Sequence, residues 1–108
     1  MSLETLTGPD FNPRGLARPG AWLVDFTAAW CAPCRAMEPV LDQLSKDLGG
    51  KVAFAEVRAD DEPHIAQAFG VQAFPTFMVF RDGAPVARHV GAVSKARLRA
   101  WLEGALAQ

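Results

Sequence analysis

Apolar side chains recur along the chain with two different spacings, one typical of buried strands and one typical of helices. Residues 21 to 27 are apolar in nearly continuous order, with an interruption at Asp25. Such a run predicts a central strand that is covered on both faces. A run at helical spacing follows and stops at Gly49-Gly50, which predicts a helix that begins at Cys31 or Pro33. Its apolar positions are Met37, Val40, Leu41, Leu44 and Leu48, and the helix is expected to end near the last of these.

The next two predicted elements are a strand and a short helix. Residues 52 to 58 alternate in part between apolar and polar side chains, which predicts a strand. The run Asp60-Asp61-Glu62-Pro63 predicts a helix start, with an aspartate N-cap, acidic residues in the first turn and an early proline. This helix is expected to end at Gly70. Its inward side chains are expected to be Ile65, Ala66 and Phe69.

The last third of the chain predicts a strand hairpin followed by a helix. Pro75 precedes a strongly apolar strand over residues 76 to 80. Asp82-Gly83 is a typical tight turn, and it predicts a returning antiparallel strand over residues 86 to 90. Ser94 is the expected N-cap of the final helix. The apolar face of that helix contains Leu98, Trp101, Leu102 and Leu106.

Residues 1 to 20 are the least informative part of the chain, because glycine and proline recur in them. Residues 3 to 6 predict a short edge strand, and residues 10 to 12 predict the start of a short helix. The chain opens with neither a positively charged region nor a long apolar region, so no secretory signal peptide is expected.

The order of the predicted elements defines a fold class. The strand–helix–strand crossover over residues 23 to 57 implies two parallel strands, and the later hairpin is antiparallel. We therefore expect an α/β protein with a central mixed β-sheet that is flanked by helices on both faces. A chain of 108 residues has room for one core, so a single domain over residues 1 to 108 is expected.

Composition and charge narrow the possible functions. The net charge of −1 and the pI near 6.1 give no positive field for nucleic acid or an anionic membrane surface. No apolar run approaches the roughly 18–20 residues of a membrane-spanning helix. We therefore expect a cytoplasmic protein that binds neither nucleic acid nor membranes.

The two cysteines of the chain, Cys31 and Cys34, have the Cys-x-x-Cys spacing that indicates a redox motif. Cys31 lies at a predicted helix start, where unpaired N–H groups and the helix dipole stabilise a thiolate. Positions three apart are neighbours on a helix, so the two sulfurs can form a reversible disulfide. Pro33 fits the first turn, because its missing N–H would be unpaired there.

Asp25 is an acidic residue inside the predicted central strand. Burial disfavours the charged form of a carboxyl group and raises its pKa toward neutrality. Asp25 can therefore act as a proton shuttle beneath the cysteine pair. The alternative is a structural carboxylate that is satisfied by nearby hydroxyl groups or water.

Five short motifs resemble those of the thioredoxin family. They are Val24-Asp25-Phe26, Trp30-Cys31-Ala32-Pro33-Cys34, Phe74-Pro75-Thr76, Asp82-Gly83 and Gly91-Ala92. The resemblance covers nearly the whole chain from residue 21 onward and implies the thioredoxin fold. It further implies a monomeric protein-disulfide reductase with a redox-active disulfide, Cys31–Cys34, and no bound cofactor. Electrons would come from a flavin- and NADPH-dependent thioredoxin reductase and pass to disulfide-containing protein substrates.

The residues around the pair have distinct expected roles. Cys31 is the partly exposed nucleophile, Cys34 is the buried resolving thiol, and Asp25 helps to deprotonate Cys34. The resemblance implies a cis Pro75 against the pair, the alternative being an ordinary turn before a strand. Ala32 and Pro33 support the site between the cysteines. The predicted substrate surface consists of Trp30, Ala73, Phe74, Gly91 and Ala92, with core packing as the alternative for Trp30.

Four positions depart from the common family pattern. Ala32 replaces a glycine, Thr27 replaces an aromatic residue, and Phe74 is bulkier than the usual aliphatic residue before the proline. Glu56 stands where some members carry a lysine near the buried aspartate. If Glu56 approaches Asp25, the two carboxylates raise each other's pKa.

Three alternative functions remain open at this point. The first is a metal site, which is not expected because the two histidines lack the usual zinc spacing. Its four possible ligands would be Cys31, Cys34, His64 and His89. The second is a disulfide oxidase or isomerase on the same fold, although such relatives usually carry a histidine or other polar residue between the cysteines. The third is a non-catalytic thioredoxin-like subunit that binds partners through the aromatic surface beside the pair.

Overall fold

The structure is a computed structural model that describes residues 3–108. The signal-peptide prediction rests in part on Met1 and Ser2, which lie outside the described residues. The described residues form seven strands and three α-helices. The strands are β1 (Glu4–Thr5), β2 (Phe11–Asn12), β3 (Gly15–Leu16), β4 (Ala21–Thr27), β5 (Ala53–Arg58), β6 (Thr76–Arg81) and β7 (Ala84–Val90). The helices are α1 (Ala32–Leu48), α2 (Pro63–Ala68) and α3 (Lys95–Leu106).

Five of the strands form a mixed sheet in the order β1-β5-β4-β6-β7. β5 pairs in parallel with both β1 and β4, whereas β6 pairs antiparallel with β4 and β7. One face packs against α2, and its core includes Val24, Phe26 and Ile65. The other face packs against α1 and α3 through residues such as Leu41 and Leu98. The predicted mixed sheet with helices on both faces is confirmed.

Helix α1 matches its prediction because its apolar spacing is local information. Its buried side chains are Cys34, Met37, Leu41, Leu44 and Leu48. These positions recur every three to four residues, so they form one stripe that faces the sheet. Cys31 is the N-cap residue, and the helix ends before Gly49. The strand that ends just before the cysteines and this helix together present the Cys-x-x-Cys motif.

The predicted start of α2 is wrong in its capping residue. Glu62 is the N-cap and makes no side-chain capping hydrogen bond, and Pro63 occupies the first turn. The carboxylate of Asp60 instead accepts a hydrogen bond from the Ala29 N–H at 3.3 Å, so it is used by the loop before the cysteines. The helix stops at Ala68, two residues before Gly70, whose φ of +67° turns the chain.

The helix start predicted at residues 10 to 12 is also wrong. Asp10 closes a short 3-10 helix (Gly8–Asp10), and the next two residues form β2, which pairs with β3. The Asn12 Oδ1 atom accepts hydrogen bonds from the N–H groups of Arg14 and Gly15 at 2.8 and 2.9 Å. This side chain closes a tight turn and competes with helix formation. The edge strand predicted over residues 3 to 6 is confirmed as β1.

The C-terminal hairpin and helix follow their predictions. Asp82 and Gly83 both have positive φ values, +50° and +90°, as the tight turn between antiparallel strands requires. The Ser94 side chain caps α3 by accepting a hydrogen bond from the Arg97 N–H. Among the described residues, no helix combines the length and apolar character that crossing a membrane requires.

Candidate active site

The two cysteines meet at the N-terminus of α1 and form a disulfide, with their Cα atoms 5.3 Å apart. Cys31 has extended backbone angles and precedes the first helical turn, whereas Cys34 lies inside that turn. The Cys34 N–H donates a hydrogen bond to the Cys31 sulfur at 3.2 Å. One of the unpaired N–H groups of the helix terminus therefore points at Cys31 Sγ, which favours negative charge on that atom.

The exposure of Cys31 differs from the sequence-based expectation. Cys31 is only 5% exposed and Cys34 is 1% exposed, so both are buried. The cause is Phe74, which packs against the two cysteines and Ala28. The Cys31 sulfur lies 3.7 Å from the carbonyl oxygen of Phe74. Cys31 is still the more exposed of the two cysteines, but the prediction that it is partly exposed is wrong.

The segment before β6 lies against the cysteine pair. The Phe74–Pro75 peptide bond is cis, as the resemblance implied. The Gly91 N–H donates to the Pro75 carbonyl oxygen at 2.8 Å, and the Thr76 hydroxyl donates to the Ala73 carbonyl oxygen at 2.7 Å. These two hydrogen bonds fix the loop on both sides of the proline.

An exposed apolar rim surrounds the site. Trp30 is 69% exposed, and its ring packs edge-to-face on Phe74 with the centroids 5.7 Å apart. Core packing, the alternative for Trp30, is therefore wrong. Gly91 and Ala92 follow β7 directly, and Gly91 has a φ of +102°. Val90 is 53% exposed beside them and was missed, although its place at the end of a strand before a glycine is visible in the sequence.

Ala32 and Pro33 form the exposed first turn of α1. The structure thus brings the cysteines, both intervening residues, Pro75 and the rim together next to the C-terminal end of β4, the central strand of the sheet. The part that each residue plays in catalysis or substrate binding stays a prediction.

Asp25 lies on β4 behind the cysteines and is 3% exposed. Its Oδ1 atom is buried and has no hydrogen-bond partner among the described residues. The pKa of Asp25 is raised to about 8, mainly by burial and in the same direction by the neighbouring carboxylates of Glu56 and Glu38. The predicted burial of this carboxyl group is therefore confirmed, and no hydroxyl group of residues 3–108 pairs with Oδ1.

A cavity of about 620 Å³ extends from Asp25 toward the surface. Charged side chains from three parts of the chain line it, including Arg35, Glu38, Glu56 and Arg58. Sequence reasoning identified only Glu56 among these four. Glu38 could have been found as well, because it lies four residues after Cys34 on the same helix and so faces the same side.

Glu56 lies beside Asp25 across the sheet, because the two residues are paired in the parallel β4–β5 register. Its Oε2 atom forms an ion pair with Arg58 Nε at 3.1 Å and accepts a hydrogen bond from the Thr5 hydroxyl at 3.4 Å. Its effect on Asp25 is the one predicted for two neighbouring carboxylates, since it raises the pKa of Asp25.

The four possible metal ligands are not brought together. His64 lies on α2, and His89 lies on β7 between the rings of Phe77 and Trp101. Within residues 3–108, no group of three or more His, Cys, Asp or Glu side chains is placed to hold a metal ion.

Comparisons with known proteins agree with this architecture. The thioredoxin family model matches residues 2–104. A thioredoxin from Rhodospirillum rubrum is 36% identical over 104 residues, which are 96% of this chain and 100% of that relative. A thioredoxin from Pseudomonas aeruginosa is 38% identical over 101 residues, 94% of each chain. Thioredoxin 1 from Nostoc sp. is 42% identical over 81 residues, 75% of this chain and 76% of the relative.

The family model, over residues 2–104, spans the main sheet, the cysteine pair and all of the helices except the last two residues of α3. The Cys31–Cys34 disulfide at the start of α1 supplies the redox chemistry that this family performs. The chain therefore belongs to the thioredoxin family and is a thiol–disulfide oxidoreductase that reduces protein disulfides.

Proposed function

We propose that Cys31 is the nucleophile of the reaction, Cys34 the resolving thiol and Asp25 the proton acceptor for Cys34. The observation that carries this assignment is the hydrogen bond from the Cys34 N–H to the Cys31 sulfur at the helix N-terminus. A donor at that place stabilises a thiolate on Cys31. Cys34 lies one turn deeper and is less exposed, so it is reached by Cys31 more easily than by a substrate.

The reaction then proceeds in two exchanges. The Cys31 thiolate attacks a substrate disulfide, forms a mixed disulfide and releases one substrate thiolate. Cys34 gives up its proton, and its thiolate attacks the Cys31 sulfur and releases the second substrate thiolate. The two cysteine sulfurs lose two electrons to the substrate, and the two released thiolates take up protons. The chain ends as the Cys31–Cys34 disulfide.

Asp25 is suited to the proton transfer in the second exchange. A general base that removes the Cys34 proton works best when its pKa lies near the pH of the reaction, so that it can accept the proton and release it again. Asp25 meets this condition because burial raises its pKa to about 8. The cavity beside it gives water a route by which the proton can leave.

Substrate binding is assigned to the apolar rim and to the backbone before Pro75. Trp30 and Phe74 offer a flat aromatic surface next to the disulfide. An extended substrate segment would lie across the Ala73–Phe74 backbone and pair with it through main-chain hydrogen bonds, with Gly91 and Ala92 on its other side.

The partners and setting are inferred from the family as a whole. A thioredoxin reductase returns electrons to the Cys31–Cys34 pair, and a flavin and NADPH supply them within that partner. The chain itself works as a monomer in the cytoplasm, with the disulfide as its redox group and without a bound cofactor. Its net charge of −1 supports neither a nucleic-acid nor a membrane partner.

The roles of the cysteines are tested by trapping. The Cys34→Ser variant is expected to accumulate a mixed disulfide with substrate, because the resolving thiol is missing. The Cys31→Ser variant is expected to form none. Mass spectrometry of each variant after mixing with an oxidised protein substrate measures the adduct. Equal trapping by both variants would overturn the assignment.

The direction of electron flow is tested by the reduction potential of the pair, equilibrated against a glutathione buffer. A reductant served by a thioredoxin reductase is expected near the established thioredoxin value of about −270 mV. A potential above roughly −200 mV would favour the oxidase or isomerase alternative and would contradict a cytoplasmic role.

A further inference from the structure

A row of side chains crosses the main sheet on the face that carries Asp25. Thr5, Glu56, Asp25, Phe77 and His89 are successive partners in the registers of β1, β5, β4, β6 and β7. Partners in register project to the same face of a sheet. The carboxyl groups of Asp25 and Glu56 are therefore neighbours, and both line the same cavity.

The two carboxyl groups have unequal surroundings. Asp25 has a buried oxygen without a partner among the described residues, whereas Glu56 is held by Arg58 and Thr5. The Glu56 side chain is 15% exposed, so its charge is only partly screened by solvent. A fixed negative charge beside a second carboxyl group opposes ionisation of that group.

We propose that Glu56 is a positioning residue for the acid–base step of the redox reaction: its carboxylate, held by Arg58 in the wall of the cavity, sets the pH at which Asp25 exchanges a proton with Cys34. The proposal rests on the proposed role of Asp25 as the proton acceptor. Glu56 holds the proton on Asp25 to a higher pH, so that the second exchange accelerates only as the pH rises through the titration of Asp25.

The other charged groups around Asp25 act more weakly. α1 contributes Glu38, which is exposed, and β6 presents the apolar ring of Phe77. That ring stands between Asp25 and His89 of β7 and stacks on the histidine. The remaining charged groups that line the cavity are Arg35, Arg58, Asp60 and Asp61. Arg35 donates to the Ala29 carbonyl oxygen at 2.6 Å, and Arg58 is paired with Glu56.

The experiment measures the titration of Asp25 directly. The ¹³C chemical shift of the Asp25 carboxyl group is followed against pH in the oxidised protein, where no thiol titrates. The Glu56→Gln variant is expected to lower the midpoint of this titration by roughly one pH unit. Glu103→Gln is the matched control, since it removes the same charge from the exposed surface of α3. An unchanged midpoint in the Glu56 variant would overturn the proposal.

A second variant moves the midpoint in the opposite direction. Arg58→Met removes the cation that is paired with Glu56 and leaves the carboxylate in place, so the Asp25 midpoint is expected to rise. A structural role for Glu56 would not give shifts of opposite sign. If Glu56→Gln does not fold, the Arg58 variant decides alone: an unchanged or lowered midpoint contradicts the proposal.

Kinetics separate this proposal from the assignment of Asp25 on which it rests. A mixed disulfide between Cys31 and thionitrobenzoate is prepared, and release of the dye by Cys34 is followed against pH. If Asp25 accepts the proton, Asp25→Asn removes the part of the pH dependence that coincides with the carboxyl titration, and Glu56→Gln shifts that part downward together with the carboxyl titration. A wild-type profile in Asp25→Asn means that the role of Asp25 is wrong. A normal Asp25 effect with no effect of Glu56→Gln means that only the present proposal is wrong.

Discussion

Two aspartates in different regions of the molecule show opposite uses of the same side chain. Asp25 lies behind the redox pair, 3% exposed and with a buried oxygen that has no partner among the described residues. Asp10 lies in the N-terminal segment, where it accepts a hydrogen bond from the Thr7 N–H at 2.9 Å and forms an ion pair with Arg18 at 2.6 Å. The pKa of Asp25 is raised to about 8 mainly by burial, while the Thr7 backbone hydrogen bond is the main cause that lowers the pKa of Asp10.

The difference separates the region that performs chemistry from a region that supports the fold. A carboxyl group with satisfied hydrogen bonds and a cation stays ionised and stabilises the folded state. A carboxyl group that is buried without partners destabilises the folded state when ionised, but it can exchange a proton near neutral pH. The redox end of this protein therefore carries a stability cost that the N-terminal segment does not.

The largest expected effect is the pH dependence that Asp25 imposes on stability. The folded protein keeps the Asp25 proton up to a pH near 8, whereas the unfolded chain releases it near 3.8. The folded state binds more protons in this window, so its stability falls as the pH rises. Between about pH 4 and pH 7, the loss is on the order of 4 kcal/mol, and Asp25→Asn is expected to remove it. Denaturant unfolding of the oxidised protein at a series of pH values measures both proteins.

Glu103→Gln is again the matched control, because it removes an exposed carboxylate from α3 and should leave the pH dependence intact. Parallel stability curves for wild type and Asp25→Asn across this window would show that Asp25 is ionised in the folded protein. The contrast with Asp10 would then disappear.

The fold around Asp25 could be predicted from the sequence because the residue patterns that specify it are local. A nearly continuous apolar run predicts a central strand, and a single carboxylate inside such a strand must be buried with it. The stripe of α1 and the turn at Asp82-Gly83 are equally local signals, and both are confirmed. The Cys-x-x-Cys spacing is also a local signal, because residues three apart are neighbours on a helix, and it predicts that the two sulfurs lie one helical turn apart.

The features that sequence reasoning missed depend on contacts between distant segments. Cys31 is buried because Phe74 packs on it, and no local pattern reports that contact. Asp60 does not cap α2 because its carboxylate is engaged by the Ala29 N–H. The N-terminal segment is a hairpin instead of a helix, and it is held by a hydrogen bond from the Leu16 N–H to the Gly83 carbonyl oxygen at 2.9 Å.

The second prediction concerns that contact between the N-terminal hairpin and the β6–β7 turn. A Cβ atom on Gly15 would collide with the Gly83 carbonyl oxygen, and one on Gly83 would lie 2.8 Å from the Leu16 carbonyl oxygen. Gly83 also has a φ of +90°, which strains any other residue. Gly15→Ala and Gly83→Ala are each expected to destabilise the protein by about 2–3 kcal/mol in denaturant unfolding.

Gly104→Ala is the matched control for both glycine variants. Gly104 lies inside α3 with nothing within 4 Å of the position that a Cβ would occupy. Alanine is therefore expected to stabilise the protein by about 0.5–1 kcal/mol there. The reduction potential of the cysteine pair should be unchanged in Gly15→Ala, since Gly15 packs on the Gly83 turn, at the opposite end of β6 from Pro75. A changed potential would contradict the separation of the two regions.

The smallest expected effect is the one that completes the contrast between the two aspartates. Asp10→Ala removes the acceptor for the Thr7 N–H and the partner of Arg18, so it is expected to cost about 1 kcal/mol at neutral pH. Because the pKa of Asp10 is lowered in the folded protein, its contribution is complete above the unfolded value of 3.8 and is lost as the pH falls through the folded value. Unfolding of variant and wild type should therefore converge in acid, which is the opposite of the trend for Asp25. Asp10→Asn keeps one acceptor oxygen without the charge and should cost less than the alanine variant. A cost of Asp10→Ala that stays constant into acid would mean that shape, and not the ionised carboxylate, is what Asp10 contributes.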